Sequence, residues 1–245
     1  MYTKVLWSFF LFLFYIPPSQ GQNWRSSPWE FFGGIAISNY FGDIGGSDAD
    51  NTWYGLKDLD VTGSRPAVAA GLRYITSNYL AVSGKLAMGW LSGNDAGGRN
   101  GTRGYSFNSA IMEPSVRTEF MPVRDLPLFE RSVNRRGMVR NYATLSAYFF
   151  GGLGVTFYHV IPNEQLAARQ ESDNISYGPA TMIFPAGLGL KLGINNKTDI
   201  GVEIGGRYAL NDYLDGFSSD SSTSNDIYYL TSVQMVYRLQ ELRIR

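Results

Sequence analysis

The sequence predicts an all-β fold: an eight-stranded antiparallel transmembrane β-barrel of the outer membrane, with an interior plugged by side chains. Eight segments alternate apolar residues with small or charged residues, as strands with two unlike faces do. Too few helical segments accompany them to cover so many apolar faces, and an export signal precedes them. Lipid is therefore the expected cover, because a closed barrel satisfies its backbone hydrogen bonds inside a bilayer.

An N-terminal signal peptide is predicted at residues 1–21. Lys4 gives this segment its positive start, and residues 5–16 form an apolar core before a small-residue cleavage point. A membrane-spanning helix needs about 20 apolar residues, and Pro17 ends this run sooner. The outer-membrane barrel domain is then predicted at residues 22–245.

The composition fits a barrel and disfavours several other classes of protein. The 245 residues include 28 glycines, 15% aromatic residues and only 17% charged residues, which suits glycine-rich strands with aromatic girdles. The formal net charge is zero, which argues against nucleic acid as a partner because that partner requires a basic surface. With no cysteine, the chain offers neither disulfides nor thiol chemistry.

The alternation predicts eight strands in chain order. The seventh shows it clearly, because Val202 and Ile204 fall on one face whereas Glu203 and Arg207 fall on the other. The predicted strands lie at residues 29–40, 65–76, 79–91, 106–121, 141–158, 180–194, 198–210 and 227–239.

Connection lengths predict the orientation of the barrel. Residues 76–78 and 195–197 form tight polar turns at two of the three predicted periplasmic positions, whereas the predicted outer loops are all longer. The remaining periplasmic connection, residues 122–140 between the fourth and fifth strands, is long for such a turn. An even number of strands is expected to leave the N- and C-termini in the periplasm.

Strand parity assigns side chains to lipid or to the interior. On the third strand, Leu86 and Met88 are predicted to face lipid, and Ser83 to face inward. Outward-facing aromatic residues are predicted at both membrane interfaces, as girdles require. They are Trp29, Tyr74, Phe120 and Tyr237 on the periplasmic side, and Trp90, Phe157 and Tyr208 on the outer side.

The same parity places charges of both signs inside the barrel. Since eight strands enclose an interior just wide enough for side chains, opposite charges are expected to pair across it rather than to line a pore. Glu203 and Arg207 are expected to pair with residues such as Lys85, Arg117, Glu113 or Lys191. The predicted lumen charge network comprises Arg73, Lys85, Glu113, Arg117, Glu119, Lys191, Glu203 and Arg207.

Charge outside the strands is distributed unevenly. The outer loops at residues 41–64 and 211–226 are rich in aspartate, whereas the connection at residues 122–140 is rich in arginine. A solvated face is one interpretation, and a basic periplasmic platform for an acidic partner is the other. The candidate partner contacts are Arg124, Leu128, Phe129, Arg131, Arg135 and Arg136.

Signals for catalysis are sparse, so the chain is predicted not to be an enzyme. The one histidine, His159, lies at the outer end of the fifth strand, and neither a G-x-S-x-G elbow nor a metal-binding His/Cys cluster occurs. Ser218 and Asp215 are the residues that could approach His159 in a lipid-modifying enzyme. No catalytic residue, cofactor, metal or small-molecule substrate is expected.

Two aspartate-containing motifs lie at predicted outer strand ends. Asp43 follows the first strand, and Asp212, Tyr213 and Asp215 follow the seventh. Aspartates beside glycine stabilise tight loop turns, and the two motifs could meet across the first and last outer loops. A structural role in ordering this rim is favoured over ligand binding.

Three segments resemble a known family, the PorG-like outer-membrane barrels of the type IX secretion system. They are GGIAISNYFGDIGG at residues 33–46, the segment from Gly104 to Glu113, and GVEIGGRYALNDYLDGFS at residues 201–218. The resemblance runs from the first strand to the last. It implies a noncatalytic role in assembly, in which the barrel tethers the periplasmic lipoprotein-containing ring of the secretion machine, in some organisms a gliding machine.

Two other functions remain open at this stage. A surface adhesin would depend on the outer loops only, and a lipid-modifying enzyme would depend on His159. The expected partners under the assembly hypothesis are outer-membrane lipid and the periplasmic ring.

Overall fold

The protein is described here by a computed structural model, and the predicted signal peptide lies outside the residues that it describes. These are residues 28–42, 44, 63–95, 102–128, 132–133, 139–140, 143–173, 177–195, 197–218 and 225–239. The strands are β1 Trp29–Phe41, β2 Arg65–Ile75, β3 Leu80–Asn94, β4 Ser106–Pro127, β5 Ser132–Val133, β6 Val139–Arg140, β7 Thr144–Pro162, β8 Ala180–Gly193, β9 Thr198–Ala209 and β10 Ile227–Leu239. The helix is α1, Glu164–Ser172.

Eight of these strands close into one antiparallel barrel, which confirms the predicted fold. Their order around the wall is β1, β10, β9, β8, β7, β4, β3 and β2, and β2 pairs with β1 to close the ring. Strands β5 and β6 form a separate two-stranded sheet. Apart from β4 and β7, the observed strand ends lie within three residues of the predicted ones.

The barrel is strongly sheared. A register row that starts at Trp29 and crosses each strand once returns to β1 at Asn39, ten residues further along. Such a stagger tilts the strands and sets how wide the interior is. Because of this stagger, the residues that face each other across the lumen cannot be identified from the sequence of one strand alone.

We call the end at Pro28 and Leu239 the lower rim and the opposite end the upper rim. The two tight turns predicted from sequence lie at the lower rim. Ser77 Oγ accepts the Leu80 amide at 3.1 Å, and Asn195 Oδ1 accepts the Thr198 amide at 2.9 Å. These short polar side chains close the turns locally.

The largest departure from prediction is that β4 runs six residues past its predicted end at residue 121. Two β-bulges, one between Phe120 and Val123 and one between Val123 and Leu126, disturb the alternation while pairing with β7 continues. Asp125 adopts a positive φ of 48°. The sequence pattern therefore stops before the strand does. We call residues 121–128 and 143–147 the arm.

Helix α1 at the upper rim was not predicted. Asn163 caps it, since its Oδ1 accepts the Leu166 amide at 3.0 Å, and Leu166 is fully buried against the barrel mouth. Arg169 pairs with Asp173 one turn later at 2.8 Å. The Asn-Glu start is a signal that could have revealed this helix.

The outer wall is apolar, as the parity predicts. Side chains such as Ile35, Val116 and Leu153 are more than half exposed. A soluble protein would bury most of such a large set of apolar side chains. All seven predicted girdle aromatics point outward, and the Trp29 and Tyr74 rings lie 4.8 Å apart at the lower rim. This band is the surface that a bilayer covers. Among the described residues, no helix has the length and apolar character needed to cross a membrane.

The close packing of strands predicts which glycines tolerate a side chain. A Cβ at Gly187 would lie 2.2 Å from the Ile204 carbonyl oxygen, whereas a Cβ at Gly84 meets nothing within 4 Å. Gly187→Ala should lower the free energy of unfolding by about 1–3 kcal/mol, and Gly84→Ala should leave it nearly unchanged. Urea unfolding, followed by the gel mobility of heated and unheated samples, checks both. Equal losses in the two variants would contradict this packing.

Candidate functional site

The lumen holds a balanced set of buried charges. In the described wall, five acidic and five basic side chains inside the barrel are less than 5% exposed. Since each buried ion costs several kcal/mol unless it is paired, equal numbers allow every charge a partner. The acids are Glu30, Glu113, Glu119, Asp199 and Glu203, and the bases are Arg73, Lys85, Arg117, Lys191 and Arg207.

Glu203 is one centre of this network. Its Oε1 accepts Lys85 Nζ at 2.5 Å and Arg117 Nη1 at 2.8 Å. Its Oε2 accepts the Tyr148 hydroxyl at 3.1 Å. Gln234 Nε2 donates to the same tyrosine oxygen at 3.1 Å, so side chains from four other strands converge on this β9 carboxylate.

Arg73 is the second centre. It binds Glu119 through Nε at 2.6 Å and Glu30 through Nη1 at 2.8 Å. Glu30 also accepts Lys191 Nζ at 2.9 Å. Arg117 joins this group to the Glu203 group, because its Nη2 lies 3.3 Å from Glu119.

A smaller group lies nearer the upper rim. Arg207 Nε lies 3.2 Å from Glu113 Oε2, and the Tyr228 hydroxyl donates to the same oxygen at 2.8 Å. Thr156 shares a 2.7 Å hydrogen bond with the Tyr228 hydroxyl. The joined Glu203 and Arg73 groups and this smaller Glu113–Arg207 group together line the lumen from the lower toward the upper rim.

Aromatic rings support the guanidinium groups. The Arg117 guanidinium carbon lies 4.4 Å from the centre of the Phe150 ring. That of Arg73 lies 5.1 Å from the Phe32 ring centre and 5.0 Å from the Tyr148 ring centre. Such contacts stabilise a cation where water is excluded.

All eight side chains of the predicted network lie inside the barrel, and Glu203 and Arg207 pair with three of the residues named as candidates. Lys191 instead pairs with Glu30, a residue that the sequence analysis missed. Parity offered the signal, because Trp29 faces outward and its neighbour must then face inward. The buried tyrosines Tyr148 and Tyr228 were also missed, because their outward alternatives look equally favourable in a strand.

The chemistry available in this interior is structural. Opposite charges are in contact at every level, so the lumen carries no prevailing sign for selecting an ion. Within the part of the chain that the structure describes, no three His, Asp or Glu side chains are grouped as metal ligands. This arrangement gives the barrel a plugged interior.

At the upper rim, the first and last outer loops meet, as their motifs suggested. The fully buried Asp215 accepts the Ile44 amide at 3.2 Å and the Phe217 amide at 2.8 Å. Asp226 accepts the Leu214 amide at 2.8 Å. Asp43 lies outside the described residues. The aspartates described here order the loops that cover this mouth.

Three tyrosines extend this cover. The Tyr158 and Tyr177 rings are stacked with centres 6.3 Å apart, and the Tyr177 and Tyr213 rings with centres 5.8 Å apart. Partial burial raises the pKa of the Tyr177 hydroxyl above its ordinary value, so the hydroxyl stays neutral. Asp212 accepts the Ser218 hydroxyl at 2.9 Å. Tyr213 and Asp212 therefore make local packing and loop contacts.

The residues considered for lipid chemistry are not brought together. His159 is exposed and lies on the outward face of β7, between the inward-facing Tyr158 and Val160. Asp215 is fully buried inside the mouth, on the other side of the wall. Hydrogen bonding between them would require the wall to open.

At the lower rim, the predicted partner contacts divide. Leu128 is 43% exposed, whereas the Arg124 side chain is only 9% exposed and donates to the Ser77 carbonyl at 3.3 Å. Arg124 thus holds the rim instead of presenting its charge, because the bulges turn it back toward the β2–β3 turn. Phe129, Arg131, Arg135 and Arg136 lie outside the residues whose side chains the structure describes.

A model of one protein family matches residues 29–238, from the first barrel strand to the last. Its description is "Domain of unknown function (DUF6089)". The chain belongs to the DUF6089 family. A search of curated protein sequences finds no significant match to this family member.

Solved structures similar to this DUF6089 chain are small outer-membrane barrels. Neisserial surface protein A is 10% identical, with 87% of this chain and 98% of that chain covered and a TM-score of 0.48. OprG from Pseudomonas aeruginosa is 11% identical, with coverages of 88% and 97% and a TM-score of 0.43. Ail, the attachment invasion locus protein of Yersinia pestis, is 12% identical, with coverages of 86% and 97% and a TM-score of 0.40. These likenesses concern the barrel fold alone.

Reversing one lumen charge should destabilise the barrel. In Glu203→Lys, a third cation would join Lys85 and Arg117 where water is excluded. The expected loss is on the order of 3 kcal/mol in the free energy of unfolding. Lys197→Glu, on an exposed turn, is the matched reversal and should change little. Urea unfolding in lipid vesicles measures both, and a Glu203→Lys barrel as stable as the wild type would contradict the network.

The filled lumen also predicts that the purified protein does not conduct. Opposite charges less than 5% exposed leave no continuous water path between the rims. Planar-bilayer recordings should therefore show no large, steady conductance. Steady channels that scale with the amount of inserted protein would contradict the plugged interior.

Proposed function

We propose that this chain is a noncatalytic outer-membrane subunit that anchors the periplasmic ring of a type IX protein secretion machine. The observation that carries the proposal is the filled, charge-paired lumen, because it removes transport through the barrel and leaves the two ends as working surfaces. The resemblance of three segments to PorG-like barrels supplies the identity of the machine.

The lower rim is the proposed docking end. The predicted signal peptide and the even number of strands favour a periplasmic position for this rim. The arm lies here, where β4 extends beyond the end of its pairing with β3. Leu126 and Leu128 on the arm are 51% and 43% exposed. These side chains offer apolar contact area beside a basic segment, which suits an acidic protein surface.

The connection at residues 122–140 would give the proposed docking surface a positive charge. Residues 122–140 contain five arginines against Asp125 and Glu130. Since Arg124 is turned onto the rim, the basic character that a partner would meet comes from Arg131, Arg135 and Arg136. Where such charges face solvent, they steer an acidic partner and are screened within about 8 Å at physiological ionic strength.

Charge reversal at these three positions tests the proposal. Replacing Arg131, Arg135 and Arg136 by glutamate should weaken retention of periplasmic ring proteins after crosslinking of intact outer membranes. The matched control replaces the same three residues by lysine, which keeps the charge and should keep the partner. Wild-type retention should also fall as salt is raised during extraction.

Two further outcomes decide between this function and its alternatives. Deletion of the gene that leaves type IX secretion and the ring unchanged would end the anchoring proposal. His159→Ala should leave secretion intact, because the side chain lies on the outward face. Loss of function only when the outer loops are trimmed would favour an adhesin instead.

A further inference from the structure

One ion pair spans the lower mouth between opposite walls of the barrel. Arg238 of β10 donates from Nη2 to Asp125 Oδ1 of β4 at 3.0 Å. Strands β10 and β4 are separated by three strands in either direction around the ring, so they stand opposite each other. The end of β4 is thereby tied across the opening to the far wall.

The backbone of β4 is shaped for this contact. The two bulges and the positive φ of Asp125 bend the strand just before its end. The Asp125 amide donates to Ser146 Oγ at 2.9 Å, which fixes the bend against β7. A non-glycine residue in this conformation persists only where neighbouring contacts hold it.

Arg238 keeps other partners when Asp125 is removed. The same Nη2 donates to Asp199 Oδ2 at 3.1 Å, and Nε lies 3.8 Å from Glu30 Oε1. Asp199 and Glu30 are fully buried, whereas the Asp125 side chain is 37% exposed. Asp125 Oδ2 also lies 3.7 Å from Arg124 Nε, and this pair lies within the arm and can move with it. When Asp125 leaves Arg238, the arginine keeps its two buried carboxylates, so the contact is cheap to open.

We propose that the Asp125–Arg238 pair is a reversible latch that positions the arm across the lower mouth. Arg238 is then a positioning residue for the docking element, although it lies on the opposite wall. The latch also joins the arm to the lumen network, since Glu30 binds Arg73 and Lys191. The inference rests on the proposed function only in treating the arm as the docking element.

The test uses the absence of native cysteine. Leu128→Cys on the arm and Lys197→Cys on the exposed β8–β9 turn accept spin labels in an otherwise label-free barrel in lipid vesicles. The wild-type background should give one narrow distance distribution. Asp125→Asn removes the carboxylate charge that binds Arg238, while asparagine still tolerates the left-handed backbone. It should broaden the distance distribution or add a second distance.

Amide exchange gives an independent readout. The amides of residues 123–126 should exchange about two- to fivefold faster in Asp125→Asn, the effect expected for loss of partly exposed ion pairs. Exchange should be at least as fast in Arg238→Gln, which also removes the contacts of Arg238 with Asp199 and Glu30. Arg238→Lys keeps the charge and should restore part of the protection. The control is Arg169→Gln, which breaks an exposed pair at the upper rim and should leave the arm unchanged.

Unchanged distances and exchange in both Asp125→Asn and Arg238→Gln would overturn the latch. Because the labels are read on the purified barrel, this result is separate from the anchoring proposal. Absence of ring proteins from wild-type crosslinked membranes would end that proposal and leave the latch standing.

Discussion

The rest of the structure depends on the ion-pair network inside the barrel. Each of the eight wall strands contributes at least one side chain to it, from Glu30 on β1 to Gln234 on β10. A buried charge without a partner costs several kcal/mol, so the network is satisfied in one register only. If the pairing of one strand slipped by one residue, every lumen charge on that strand would turn toward lipid. The network therefore fixes both the closure of the barrel and its shear.

The same constraint bears on the proposed function, because it leaves the two ends of the molecule as the surfaces where the proposed binding would occur. A lumen that must be neutral and filled cannot also be selective for an ion or a solute. Structural features that could serve a function are then confined to the rims, and the two rims differ in structure. The upper one is covered by buried aspartates and stacked tyrosines, whereas the lower one carries an arm with exposed Leu126 and Leu128.

Much of the wall was predictable because it follows a local rule. Period-two alternation gave the strands, the girdle aromatics and the inward position of charges such as Arg117. Partner choice was not predictable in the same way: Lys191 binds Glu30 instead of Glu203, since contacts across the lumen depend on the shear. The end of β4 was missed because bulges break the alternation without ending the pairing.

The lower end of β4 carries features that disfavour strand addition and aggregation. Met121 still donates its amide to the Tyr79 carbonyl at 2.7 Å, but beyond it β4 has no register partner on β3 among the described residues. Pro122 and Pro127 lie on this stretch and cannot donate an amide hydrogen bond, and the two bulges twist the edge away from a regular ladder. Addition of a foreign strand is disfavoured there. If a partner binds the arm, as proposed, side chains would carry the recognition, and their placement would depend on how firmly the arm is held.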